Sequence, residues 1–248
     1  MPGDSTTSPG TGVRPARPGT AYTAQGRRVR EVFSYSRRGS RLSAAHARVW
    51  ELNAGRWWIP DELVDEPGFA LADRFERRAP LAVEIGSGSG EATAALAAAH
   101  PELNVAAFEV WRPGLAETMT WLDDAGVENV RLLSVDAVWS FAHLLSPATV
   151  TEVWTFFPDP WPKQRHHKRR LVDPAFARLV ADRLVPGGTW RLATDWPAYA
   201  RSIQEVLDAE PMLCGGPTAR CERRPTTRFE RRGLAEGRAI TDLNYRGR

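Results

Sequence analysis

Leu81-Ala82-Val83-Glu84-Ile85-Gly86-Ser87-Gly88-Ser89-Gly90-Glu91 is the stretch that decides the fold. Its largely apolar opening, Leu81–Ile85, reads as a buried strand. The alternating glycines after it read as a tight loop, and the Ala/Leu-rich residues 92–99 as the helix that the loop opens into. Outward from this unit the same alternation continues. Strands are predicted at 105–110, 130–135, 153–157 and 189–193, with helices at 115–122, 139–145 and 174–184. Pro186-Gly187-Gly188 is expected to stop the last of these helices. Leu42, Ala45, Val49 and Leu52 recur at helical spacing and predict a further helix over 42–58. Residues 239–245 read as a final strand, antiparallel at or near a sheet edge. Strand–helix alternation of this kind predicts an α/β fold with a mostly parallel sheet and helices on both faces.

A chain of 248 residues is long enough for a full core. No apolar run approaches the ~20 residues of a membrane helix, and the first residues lack the apolar stretch of a secretory signal. No membrane partner is therefore expected. Two cysteines, Cys214 and Cys221, sit in one short segment without histidines beside them. That pattern predicts neither a structural disulfide nor a metal site, and the expected compartment is the reducing cytoplasm. The net charge of +3 is modest but unevenly spread, with basic groups gathered before residue 42, over 163–170 and over 220–238. Such patches favour a polyanionic partner. Residues 1–32, rich in Pro, Gly, Ser and Thr, read as a disordered basic arm, and residues 33–248 as a single domain. The arm is either a nucleic-acid contact or a plain solvated extension.

The loop spacing is G-x-G-x-G over Gly86, Gly88 and Gly90, whereas a dinucleotide site needs G-x-G-x-x-G/A. Glu91 falls on the last position, at a helix N-terminus where a pyrophosphate would have to dock. An acid there repels phosphate and tolerates a sulfonium, so the loop points to S-adenosylmethionine. Glu109 ends the second strand, where a carboxylate accepts hydrogen bonds from ribose hydroxyls. Asp136 ends the third strand, placed to receive an adenine amino group or to cap a helix. Glu84 would face the methionine end and its ammonium.

Phe156-Phe157-Pro158-Asp159-Pro160-Trp161-Pro162-Lys163 then sets an acid where the fourth strand ends. Gln164-Arg165-His166-His167-Lys168-Arg169-Arg170 follows directly, a cationic run suited to phosphates. Trp161 either stacks on a base or packs under the turn. Asp195 reads as a helix N-cap or as a group that fixes the base or holds Arg228. Thr227 and Glu230 have capping-box spacing.

Together with Ala193-Thr194-Asp195-Trp196 and Thr227-Arg228-Phe229-Glu230-Arg231-Arg232-Gly233, these motifs occur in one order. In that order the chain resembles the bacterial tRNA (guanine-N7-)-methyltransferases, from about residue 34 to the end. The resemblance implies a Rossmann-like class I methyltransferase fold with a seven-stranded sheet, S-adenosylmethionine as cofactor and tRNA as partner. It implies methyl transfer to N7 of guanosine at position 46 of the variable loop. Asp159 would be the catalytic acid residue, while Glu84, Gly86, Gly88, Gly90, Glu109 and Asp136 hold the cofactor. Lys163, Asp195, Thr227, Arg228, Phe229 and Glu230 would meet the substrate, with Arg228 standing where the family commonly has lysine. Arg165, His166, His167, Lys168, Arg169 and Arg170 would contact the RNA backbone. No metal is implied, and the expected state is a monomer or a homodimer. Two rival readings are a non-catalytic tRNA-binding protein and a methyltransferase of another RNA. Intact Gly86, Gly88, Glu109 and Asp159 weigh against the first.

Overall fold

Successive side chains of a strand point to opposite faces of its sheet, and the strand Leu81–Ile85 (β1) buries both. Ala82 enters one apolar cluster while Val83 and Ile85 enter another. Asn104–Phe108 (β2) repeats the pattern, with Val105 and Ala107 on the first side and Ala106 and Phe108 on the second. Strands clad on both faces are the mark of a doubly wound parallel sheet. The computed structural model describes residues 41–222 and 224–248. The expected arm at 1–32 and the first residues of the expected domain lie outside them.

The remaining strands are Val130–Leu133 (β3), Val150–Phe156 (β4), Leu184–Thr194 (β5), Leu213–Thr218 (β6) and Thr241–Gly247 (β7). The helices are Ala44–Trp57 (α1), Asp61–Val64 (α2), Glu91–Ala99 (α3), Arg112–Asp124 (α4), Ala137–His143 (α5), Pro174–Arg183 (α6), Pro197–Asp208 (α7) and Arg228–Ala235 (α8). The described sheet has seven strands in the order β3-β2-β1-β4-β5-β7-β6. β3, β2, β1, β4 and β5 run parallel, and β7 enters antiparallel between β5 and β6. This is the mostly parallel, seven-stranded Rossmann-like sheet that the resemblance implied. Helices α1, α3 and α4 cover one face through Trp57, Leu96 and Leu115. Helices α5, α6 and α7 cover the other through Phe141, Phe176 and Ile203.

Local chemistry explains several boundaries. Ser43 caps α1 by accepting the His46 N–H at 3.2 Å, and Asp173 caps α6 by accepting the Phe176 N–H at 2.9 Å. The buried indoles of Trp57 and Trp190 donate to the Val127 carbonyl (2.8 Å) and the Thr155 hydroxyl (3.0 Å), so their burial leaves no orphaned N–H.

The expected helix stop at Pro186-Gly187-Gly188 is corrected, because α6 already ends at Arg183. β5 begins at Leu184, so Pro186-Gly187-Gly188 lies within it and forms an irregularity opposite the β4 register shift between Val150 and Glu152. α7 and β6 are elements that periodicity did not reveal. β7 lies antiparallel near the sheet edge, as expected, and pairs on both sides; the edge strand is β6 itself. Only Leu213 of β6 is buried, and Pro217 removes one donor from its ladder.

Candidate active site

The strand order reverses between β1 and β4, and ligands of open α/β sheets bind beyond the carboxyl ends of strands at such a point. A cleft of roughly 640 Å³ opens there. Its floor is the β1 end and the glycine loop, one wall carries Glu109 and Trp111, and the facing wall is the turn after β4.

Glu84 reaches the floor from within β1 and is only 3% exposed. Its carboxylate accepts the Thr93 hydroxyl at 2.5 Å. Burial pushes its pKa up to about 7, against the opposing Thr93 hydrogen bond and with help from the nearby Glu109 charge. Glu109 ties the glycine loop to its own wall, accepting the Gly88 N–H and the Trp111 N–H, each at 2.8 Å. Gly114 of α4 makes room for this loop, since a Cβ there would overlap the Gly88 carbonyl. Ser87 is buried in the loop on the cleft side, and its hydroxyl has no hydrogen-bond partner among the described residues.

Across the cleft, two bulky residues adopt left-handed backbone: Phe157 at φ 52° and Trp161 at φ 45°. Such conformations cost about 1–3 kcal/mol each and persist only where the surroundings enforce them. They bracket Pro158-Asp159-Pro160 and turn Asp159 outward, exposed and on the cleft lining. The Phe157 N–H donates to the Ala193 carbonyl at 2.7 Å. Arg170 Nε donates to the Pro160 carbonyl at 2.9 Å, while the Arg169 guanidinium lies 5.0 Å from the Trp161 ring centroid. Gln164–Arg169 forms a 3-10 helix that presents Arg165, His167 and Lys168 to solvent beside the cleft mouth.

Helix α8 closes a third side. Thr227 caps it by accepting the Glu230 N–H at 3.4 Å. Phe229 lies over Gly88, with its ring 3.7 Å from where a Cβ would stand. Glu91 accepts the Arg228 N–H at 2.5 Å and an Arg231 guanidinium N–H at 2.7 Å, joining α8 to α3. Behind α8, Glu230 and Asp242 share the buried Arg224, and Glu230 also accepts from Arg220 at 3.0 Å. Burial would raise Glu230, but the two arginines outweigh it and hold the carboxyl below its usual range. Asp242 is driven upward by burial, only partly offset by Arg224.

A family model described as a putative methyltransferase matches residues 78–243. A tRNA (guanine-N(7)-)-methyltransferase of a Nocardioides species is 64% identical over 237 residues, covering 96% of each chain. The chain belongs to this tRNA (guanine-N(7)-)-methyltransferase family. The like-named protein of Cutibacterium acnes is 44% identical over 256 residues, covering 96% of this chain and 90% of that one. That of Alkalilimnicola ehrlichii is 44% identical over 224 residues, with coverage of 88% and 94%.

Of the residues singled out in the sequence, this family member brings Glu84, Gly86, Gly88, Glu109, Asp159, Lys163, His166, Arg169, Thr227 and Phe229 to one cleft. Others stand elsewhere. Gly90 serves packing, for a Cβ there would meet the Thr118 backbone at 2.5 Å. Asp136 is 1% exposed and caps α5, accepting the Val138 and Trp139 N–H groups at 2.9 and 3.2 Å, while Val135, Ala137 and Val138 line the cleft around it. Arg170, expected on RNA, is 5% exposed and holds the turn from behind. Glu230, expected on substrate, faces the two arginines instead. Asp195 is not the cap of α7, a position taken by Trp196, and it accepts from Arg238 at 2.8 Å where Arg228 was a candidate. Arg228 lies 3.8 Å from Glu117 and 5.2 Å from the Phe229 ring centroid.

Ser87, Gly114 and Arg224 were not recognised as site residues from the sequence, and Glu91 was read only for its charge at the cofactor loop, not for its tie to α8. Ser87 had a usable signal, a hydroxyl between two glycines of a ligand loop. Arg224 had none, because nothing in its sequence neighbourhood marks it as buried.

Proposed function

We propose that this chain transfers a methyl group from S-adenosylmethionine to N7 of guanine in tRNA, at position 46 of the variable loop. One observation carries the reading. An acidic, hydroxyl-bearing glycine loop shares a cleft with a strand-end carboxylate, and a cationic segment begins four residues beyond that carboxylate.

The residues fit the cofactor. The groups facing the glycine loop are Glu84, Glu109, Glu91 and the Ser87 hydroxyl, which lacks a partner among the described residues. That set suits a cationic nucleoside with hydroxyls and an ammonium and opposes a pyrophosphate. Glu84 would hold the ammonium, Glu109 the ribose, and Ser87 a polar group at the loop. When bound, S-adenosylmethionine supplies an electrophilic methyl carbon on a positively charged sulfur.

Guanine N7 carries an in-plane lone pair, so no proton has to leave before attack. The protein's task is alignment, which contributes roughly 7–11 kcal/mol when geometry is good. Phe157 and Trp161 flank Asp159 and bound the base from the β4 side, while Phe229 bounds it from α8. As N7 is alkylated, the imidazole ring of guanine gains positive charge, and the Asp159 carboxylate stabilises it. The same carboxylate can accept the guanine N1–H and amino protons, which sets the base edge. Lys163 and the exposed Arg165, His167 and Lys168 hold the phosphates that deliver the base. We place the reaction in the cytoplasm, with tRNA as the partner.

The test is incubation of the full chain with isotopically labelled S-adenosylmethionine and an unmodified tRNA transcript, followed by nucleoside mapping. Label in 7-methylguanosine at position 46 supports the reading. Label in another nucleoside, or only in another RNA, overturns it, and binding of tRNA without transfer favours the non-catalytic alternative.

A further inference from the structure

We infer that Arg224 is a positioning residue for methyl transfer, holding the acceptor turn in its left-handed conformation from behind the cleft. The inference rests on the proposed reaction and adds a device to it.

The Arg224 side chain is fully buried, with 0% exposure. Its guanidinium makes two forked pairs: Nη1 and Nη2 to Glu230 at 2.6 and 3.2 Å, and Nε and Nη2 to Asp242 at 3.2 and 3.1 Å. The carboxylates come from α8 and β7, so the guanidinium plane is fixed by two separate elements. Its carbon lies 5.5 Å from the Phe156 ring centroid and 5.4 Å from that of Phe157. Phe157 is one of the two bulky left-handed residues, and it stands two positions before Asp159.

A buried ion cluster is a poor way to add stability, because apolar side chains of similar volume often do as well or better. What it adds is direction. Only a planar cation with five donors can hold two carboxylates in its plane and offer its face to rings. The cluster thereby joins the α8 segment, whose Thr227 and Phe229 line the cleft, to the turn that carries Asp159. Glu230 belongs to the same device: it acts through Arg224, on the side of α8 away from the cleft.

The experiment compares the full unsubstituted chain with Arg224→Lys and with the double variant Arg224→Met/Glu230→Gln, which removes the cation together with one of its carboxylates. S-adenosylmethionine affinity is read by calorimetry, and kcat and KM with unmodified tRNA. Both variants are expected to bind S-adenosylmethionine within about threefold of the unsubstituted chain, and kcat to fall about 100-fold with a much smaller change in KM, as for a misplaced reacting group. Lysine is expected not to rescue, since it keeps the charge and loses the plane. A variant that keeps S-adenosylmethionine binding and turns over at near the unsubstituted kcat would overturn the inference. So would a loss confined to KM, or parallel loss of cofactor binding in both variants, which would make Arg224 a support of the fold at large. Absence of guanine methylation by the unsubstituted chain would instead overturn the underlying reading.

Discussion

The Glu91 carboxylate accepts the backbone N–H of Arg228 at 2.5 Å, across 137 residues of sequence. The first turn of α3, next to the cofactor loop, is thereby tied to the first turn of α8, which carries Phe229 over Gly88. Hydrogen bonds to charged groups contribute about 1.5–3 kcal/mol each. Glu91→Ala should therefore loosen α8 and lower kcat/KM for tRNA by about tenfold or more. Steady-state kinetics checks this, and unchanged kcat/KM would mean that α8 docks without the tie.

Glu84 makes cofactor binding pH-dependent. With its pKa near 7, the carboxyl is largely protonated below neutrality in the cofactor-free protein. A cationic ammonium needs the carboxylate, so affinity for S-adenosylmethionine should rise with pH to about 8 and then level. Below pH 7 the slope approaches a factor of about ten per unit. For folding the sign is opposite. A carboxyl raised from 4.5 to about 7 contributes stability below pH 4.5, and that contribution is lost as pH rises through 7. Thermal stabilisation by the cofactor should accordingly be larger at pH 8 than at pH 6. A calorimetric affinity that is flat across this range would remove Glu84 from the ammonium site.

Asp159→Asn keeps the shape of the turn and removes the charge. Turnover should fall about 100- to 1000-fold, the scale seen when an electrostatic stabiliser of a transition state is removed. Cofactor affinity should stay within about threefold, because the groups assigned to the cofactor lie on the facing wall. Single-turnover kinetics with saturating tRNA reads the chemical step directly. Turnover near the unsubstituted rate would leave Asp159 outside the chemistry.

The parts of this design that were legible in the sequence share a cause. β1, β2 and β4 are buried on both faces, so their apolar runs announce them, and a glycine loop directly after a strand announces a ligand. α7 was missed although Tyr199, Ile203 and Leu207 are all fully buried along it. β6 was missed because an edge strand with two glycines and a proline buries little and shows no alternation. The roles of Arg170, Arg224 and Glu230 were hidden for another reason. A basic run reads as solvated charge, and only tertiary packing turns Arg170 inward, where its Nε meets the Pro160 carbonyl while the exposed Arg165 and Lys168 stay in solvent.

That difference separates two kinds of arginine in one run of sequence. Arg165→Ala with Lys168→Ala removes two exposed cations beside the cleft mouth. Each lost phosphate contact should reduce the slope of log affinity against log salt by about 0.7–0.9, so the pair should flatten it by about 1.5. Binding weakens most at low salt, while kcat at saturating tRNA is largely kept. Arg170→Ala removes no exposed charge, so the slope should not change. It does remove the donor to the Pro160 carbonyl and the cation 4.8 Å from the Tyr199 ring centroid, and so should lower kcat through the turn. TRNA-binding titrations at several salt concentrations, run beside saturated turnover, distinguish the two effects. If Arg170→Ala flattened the salt slope as much as the exposed pair, Arg170 would be a phosphate contact after all, and its burial would have to give way when RNA binds.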